Sequence, residues 1–136
     1  MTDQSNTHPD VFGLRGKVAL VADLDLARAT EVSDEVAALG VRSIALSGDV
    51  TDPVAAQAVV DRAHSGLGGL HAVVNIVGVA SWSDLLSMDL EMWESDLRSN
   101  LTHHMLVGRA AARHWIDDGV DGRLALVTSI SGIFGA

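Results

Sequence analysis

Apolar positions along this chain change their period as it is read: short unbroken runs alternate with stripes at steps of three and four. From Lys17 to Leu24 the run VALVADL is bounded by Gly16 and Asp25 and is too short for a helix, which predicts a strand buried on both faces. Leu26, Ala29, Val32, Val36 and Leu39 then recur at helical spacing up to Gly40, a good helix stop. Ser43-Ile44-Ala45-Leu46 predicts a second strand. Thr51-Asp52-Pro53 supplies an N-cap and a first-turn proline, opening a helix through Val59, Val60 and Ala63 toward the glycines at 66, 68 and 69. His71 to Val77 predicts a third strand. After a loop containing Trp82, a helical pattern runs from about Leu90 to Ile116 and is stopped by Asp117-Asp118-Gly119. Within it Trp93, Leu97, Leu101 and Met105 stand four apart, the mark of a packing face. A fourth strand, Leu124 to Val127, reaches Ser129. Residues 1–13, polar and patternless, read as a flexible tail, which leaves 14–136 as one domain. Alternation of strand and helix predicts the α/β class, with a short, mostly parallel sheet of about four strands flanked by helices.

Composition narrows the function classes. With 136 residues, 48% of them hydrophobic and 20% charged, the chain has material for a single core. A net charge of −9 and nine scattered basic residues argue against a nucleic-acid partner. No cysteine is present, so there is neither a disulfide framework nor a thiolate metal site. No apolar run approaches the roughly 20 residues that span a bilayer, and the polar, acidic start does not read as a signal peptide; the expectation is a cytoplasmic protein without a membrane partner.

Several short motifs agree in order and spacing over nearly all of 14–136. They are Gly48-Asp49-Val50-Thr51-Asp52, Val74-Asn75-Ile76-Val77-Gly78, Trp93 followed by Asn100-Leu101-Thr102, and Val127-Thr128-Ser129-Ile130-Ser131-Gly132. Together they resemble the short-chain dehydrogenase/reductase family. The resemblance implies a Rossmann-like fold and NAD(P)-linked alcohol oxidation or carbonyl reduction. It implies that Asp49 and Val50 meet the adenine of NAD, that Asn75 and Gly78 stand in the family's Asn-Asn-Ala-Gly motif, and that Asn100 and Ser129 occupy the positions of its catalytic asparagine and serine. Asp23 ends the first strand and carries two readings. An acid there accepts from ribose hydroxyls and so favours NAD over NADP; equally, with Asp25, it is an acidic start to the Leu26 helix that complements the helix dipole.

Two features of the family are missing. Its first strand leads into a glycine-rich turn that binds pyrophosphate, yet no glycine occurs between Gly16 and Gly40. Lys17-Val18-Ala19-Leu20-Val21 resembles the start of the family's first strand, whereas Ala22-Asp23-Leu24-Asp25 resembles the end of its second, so a strand-turn-helix segment reads as deleted. Two carboxylates then stand where an anion should bind, and weak or no dinucleotide affinity is expected. The Tyr-x-x-x-Lys pair is also missing: there is no tyrosine, Lys17 is the only lysine, and the sequence ends seven residues after Ser129, as in a C-terminally truncated member. Without that phenol no evident group exchanges the proton of the substrate oxygen, and the chain by itself is expected to be catalytically incompetent.

Other chemistries find little support. His103 and His104 are neighbours on a helix, hence about 100° apart, and His114 lies turns away, so no metal site is expected. Ser129 and Ser131 lack a Gly-x-Ser-x-Gly elbow. A phosphate-binding module of flavodoxin-like shape would want a glycine- or hydroxyl-rich loop after the first strand. What remains besides the family's activity is a non-catalytic subunit pairing with a full-length relative, or a gene remnant. In the family the long helix commonly forms a dimer interface, so the resemblance implies a homo- or hetero-oligomer through 90–116.

Overall fold

The computed structural model describes residues 16–79 and 81–130. The expected 1–13 tail lies outside them, as do Ser131 and Gly132. Four parallel strands, β1 (Val18–Asp23), β2 (Arg42–Ser47), β3 (Ala72–Asn75) and β4 (Arg123–Leu126), form one sheet in the order β2-β1-β3-β4. β1 pairs with β2 over its whole length, from Val18 opposite Arg42 to Asp23 opposite Ser47, and meets β3 through Ala19 and Ala72. β3 and β4 run in register from Ala72 opposite Arg123 to Asn75 opposite Leu126.

The helices begin where carboxylates cap them. Asp25 accepts from the N–H of Ala27 at 2.9 Å to open α1 (Leu26–Ala38), and Asp52 accepts from Ala55 at 2.7 Å to open α2 (Pro53–Leu67), with Pro53 in the first turn. Gly68, at φ 67°, ends α2 in the left-handed conformation that glycine adopts without cost. The predicted long helix is interrupted. α3 (Leu90–Leu97) passes through a π-helical turn (Arg98–Thr102) into α4 (His103–Asp118), and the N–H of His103 reaches back five residues to the carbonyl of Arg98. A periodicity of apolar residues cannot reveal one extra residue in a turn.

α2 and α4 cover one face of the sheet. There Val50, Val60, Leu70, Val73, Leu106, Val107 and the alanines 56, 110 and 111 form the main core. On the other face α1 sits over β1 and β2, where Ser33 and Ser43 bond to each other at 2.8 Å. Because side chains alternate across a strand, Val74 belongs to this second face, where it is 60% exposed. The Trp93, Leu97, Leu101 and Met105 stripe, expected to pack, does not do so within the chain: the four are 37–62% exposed. The inward face of α4 is instead His103, His104, Leu106, Val107, Ala110 and Ala111, because the π turn rotates the helix after it relative to the helix before.

Candidate functional site

β1, β2 and β3 open at their carboxyl ends onto a cleft of about 540 Å³, the place where open parallel sheets collect ligands. Its walls are apolar, with Val21, Val32, Val50, Ile76 and Val77 among them, and its polar rim holds Asp23, Arg28, Asp49, Thr51 and Ser99.

At the end of β1, Asp23 turns back on its own chain. One carboxylate oxygen accepts the N–H of Asp25 at 2.9 Å, and the other lies 3.6 Å from the guanidinium of Arg28 on a solvent-facing side. Asp25 is in turn committed to the N–H of Ala27. Both acids of this turn therefore serve its backbone. The end of β2 is tied to it: the N–H of Gly48 donates to the carbonyl of Asp23 at 3.2 Å, and the Ser47 hydroxyl donates to the carbonyl of Leu24 at 3.1 Å.

Gly48 has to be small, because a Cβ there would run into Cγ2 of Val59. Asp49 then accepts from the N–H of Thr51 at 2.9 Å and from its hydroxyl at 2.7 Å. Those two bonds, the hydroxyl's first, hold the Asp49 carboxyl below its ordinary range against a small opposing effect of burial. The cleft thus keeps an ionised acceptor on its rim, with Val50 buried behind it.

Asn75, the last residue of β3, faces away from the cleft. Its amide donates to Nδ1 of His103 at 3.0 Å inside the core, where Asn75 is 5% exposed. Burial, and then the neighbouring His104 ring, depress the His103 pKa, while the Ser99 carbonyl pulls the other way. Beyond β3, Gly78 and Val79 are clipped to the π turn. Asn100 accepts from the N–H of Val79 at 3.0 Å and donates to its carbonyl at 2.6 Å and to that of Asp96 at 2.9 Å. A Cβ on Gly78 would come within 3.3 Å of the Asn100 oxygen, so glycine lets this clip close.

Of the residues singled out in the sequence, Asp23, Asp49, Val50 and Gly78 line the cleft together; Asn75, Asn100 and Ser129 do not. Ser129 lies three residues past the end of β4 and is exposed. Arg28, Thr51 and Ser99 were not singled out. Thr51 was legible as the hydroxyl two residues after Asp49. Arg28 and Ser99 had no comparable signal, since one is an ordinary surface position of a helix and the other is aimed by the π turn.

In chemical terms the cleft is an apolar slot with acceptors on its rim and one guanidinium, inside a parallel α/β sheet whose strand order places β1 at the middle. This is the architecture of a nucleotide-binding fold. The family model described as short chain dehydrogenase matches residues 11–136. The chain is 32% identical, over 93% of its length, to a hydroxyacyl-CoA dehydrogenase, ChsB1, of Mycobacterium tuberculosis, covering 44% of that protein. Among solved structures, a short-chain type dehydrogenase/reductase from Mycobacterium marinum superposes with a TM-score of 0.79 at 26% identity, over 88% of this chain and 57% of the other. A short chain dehydrogenase from Burkholderia cenocepacia J2315, in complex with NADP, gives 0.74 at 27%, over 90% and 59%. The chain belongs to the short-chain dehydrogenase/reductase family of oxidoreductases, and spans about half the length of the relatives it matches.

Proposed function

We propose that this chain carries a nucleotide-site half of the short-chain dehydrogenase/reductase fold without hydride-transfer activity of its own, and that it works as a non-catalytic subunit paired through the helical segment 90–116 with a second chain. That second chain is a copy of itself or a full-length relative. A cytoplasmic location goes with this reading.

The observation that carries the proposal is the turn between β1 and α1. An anion binds at a helix N-terminus because unsatisfied N–H groups point at it and the helix dipole favours negative charge. At α1 the N–H of Ala27 is taken by Asp25, the N–H of Asp25 is taken by Asp23, and the two carboxylates bring charge of the wrong sign. The adenosine end of a dinucleotide finds suitable acceptors in Asp49 and Asp23, but of the N–H donors at the start of α1 that a pyrophosphate would use, those of Asp25 and Ala27 are already bonded to carboxylates. NAD(P) therefore does not fit this chain as a whole. Any remaining recognition favours NAD over NADP, since Asp23 suits a ribose hydroxyl better than a phosphate. Asn100, the residue that resembles the family's catalytic asparagine, spends its amide on Val79 and Asp96.

Calorimetric titration of the folded protein with NADH and NADPH tests this, with a thermal scan alongside because a ligand of the native state raises the melting temperature. The expected result is no saturable heat up to millimolar dinucleotide and no shift in melting. Micromolar binding of either cofactor would overturn the proposal and return the chain to the family's ordinary chemistry.

A further inference from the structure

The stretch from Ser81 to Arg98 joins two features that a free surface seldom combines. Trp82, Leu85 and Leu86 stand 85–97% exposed before α3, so they gain almost nothing from the fold of their own chain, and Leu90, Trp93 and Leu97 are exposed on α3 itself. At about 100° per residue, those last three fall within an arc of roughly 60°. The second feature is charge of one sign. Asp84, Asp89, Glu91, Glu94 and Asp96 share the stretch with a single cation, Arg98. Among the described residues none of these five carboxylates has an ion-pair partner.

Three of the five are held in place by hydrogen bonds that leave their charge intact. Asp84 accepts from the N–H groups of Leu86 and Ser87 and from the Ser87 hydroxyl, Asp89 from the N–H of Met92, and Asp96 from the Ser81 hydroxyl at 2.6 Å. The Ser87 hydroxyl, ahead of its N–H, keeps the Asp84 carboxyl below its ordinary range. Glu91 and Glu94 are exposed, and Glu94 stands about 40° from Leu90, at the edge of the apolar arc.

We propose, on the pairing reading above, that this stretch docks an amphipathic helix of a different chain, one whose apolar stripe is bordered by lysines or arginines, and that it rejects a second copy of itself. A two-fold pair brings the same patch of both copies together. Here that sets five carboxylates against five, and like charges opposed across an interface select against a partner. The net charge of −9 on each copy adds to the repulsion. A lipid surface fits no better, because helices that lie on membranes carry lysine and arginine on their polar face. A basic amphipathic helix meets both features at once: its apolar residues cover Trp93 and its neighbours, and its cations reach the bordering carboxylates.

The test is a titration of the full chain, followed by tryptophan fluorescence, with two synthetic helical peptides of about 18 residues, long enough for a full amphipathic face. One is built of leucine and lysine; the other has glutamate in place of every lysine. Wild type is expected to bind the lysine peptide saturably, with a blue shift as Trp82 and Trp93 are covered, to ignore the glutamate peptide, and to sediment as a monomer by itself. Glu91→Lys with Glu94→Lys should weaken lysine-peptide binding by about tenfold or more. Glu31→Lys with Glu35→Lys makes the same change of charge at exposed positions of α1 and should cost less than about threefold, since charges beyond a Debye length are screened.

Equal losses in the two double variants would reduce the effect to net charge and overturn the proposal. So would failure of the lysine peptide to bind, or a blue shift with phosphatidylcholine vesicles in its place. A wild-type dimer that Trp93→Glu dissolves overturns it too, while leaving pairing through 90–116 standing; micromolar dinucleotide binding would instead strike the reading beneath it and leave the peptide result untouched. If a double variant does not fold, salt decides on the wild type: lysine-peptide binding that does not weaken as salt is raised overturns the proposal.

Discussion

His103 illustrates how one buried side chain makes stability depend on pH. Its ring accepts from Asn75 in the core and its pKa is depressed by burial and by His104, so the folded chain resists a proton that the unfolded chain accepts. A depressed value means that stability is intact above the ordinary value of 6.5 and is lost as the pH falls below it. Urea midpoints measured between neutral pH and mild acid are expected to fall for the wild type. His103→Leu should flatten that slope, even though it lowers the neutral-pH stability by roughly 1–3 kcal/mol because the Asn75 amide loses its partner. The slope is the diagnostic quantity, and an unchanged slope would assign the acid sensitivity to other groups. Gly122 is constrained by contact instead of charge, since a Cβ there would enter the indole of Trp115, which itself donates to the carbonyl of Leu70 at 3.0 Å. Gly122→Ala is expected to cost about 1–3 kcal/mol by denaturant unfolding, as overpacked positions do.

At the level of elements, the π turn is the device that shapes the site. By adding a residue to one turn it separates α3 from α4, presents Ser99 to the cleft, and sets Asn100 against the strand-end loop at Val79. Asn100→Ala removes three hydrogen bonds at a partly solvated position and is expected to lower stability by about 1–2 kcal/mol. The amide of Val79 should then exchange with solvent faster while the amides of β3 keep their protection. Uniformly faster exchange across the sheet would show instead that the clip holds the whole fold and not the loop alone.

Across the molecule, the apolar side chains left outside the core bear on association. Leu90, Trp93, Leu97, Leu101 and Met105 along the helical segment, and Leu85 and Leu86 in the turn before it, are all exposed. Exposed apolar side chains gathered on one stretch of chain mark an interaction site more often than scattered ones do. If a second chain covers the segment, Trp93→Glu together with Leu101→Glu should convert the associated form to monomer in sedimentation equilibrium without changing the far-ultraviolet circular dichroism. A wild-type chain that is monomeric at all concentrations would remove self-pairing and leave only pairing with a full-length relative. Among the described residues no helix is long and apolar enough to cross a membrane, so the exposed stripe is not a span.

The order of elements and most of their ends were legible in the residues themselves. Asp25, Asp52 and Gly119 cap helices through local bonds and local conformations, and VALVAD and RSIALS are strands because short apolar runs have few other ways to be buried. The motifs Gly48-Asp49-Val50 and Asn75 through Gly78 carried the family, since what matters in them is residue type at fixed spacing. Tertiary structure alone decided the rest. It sent Asn75 into the core instead of the cleft, because which side of a strand's end meets a helix is set by the helix that packs there. It left the Trp93 stripe outside the chain's own core, because which helix face is buried is set by what packs against it and not by the face's own periodicity. It also brought His64, His114, Asp61 and Asp118 together from positions about fifty residues apart, a contact made by α2 and α4 lying side by side on the sheet, which no local pattern encodes.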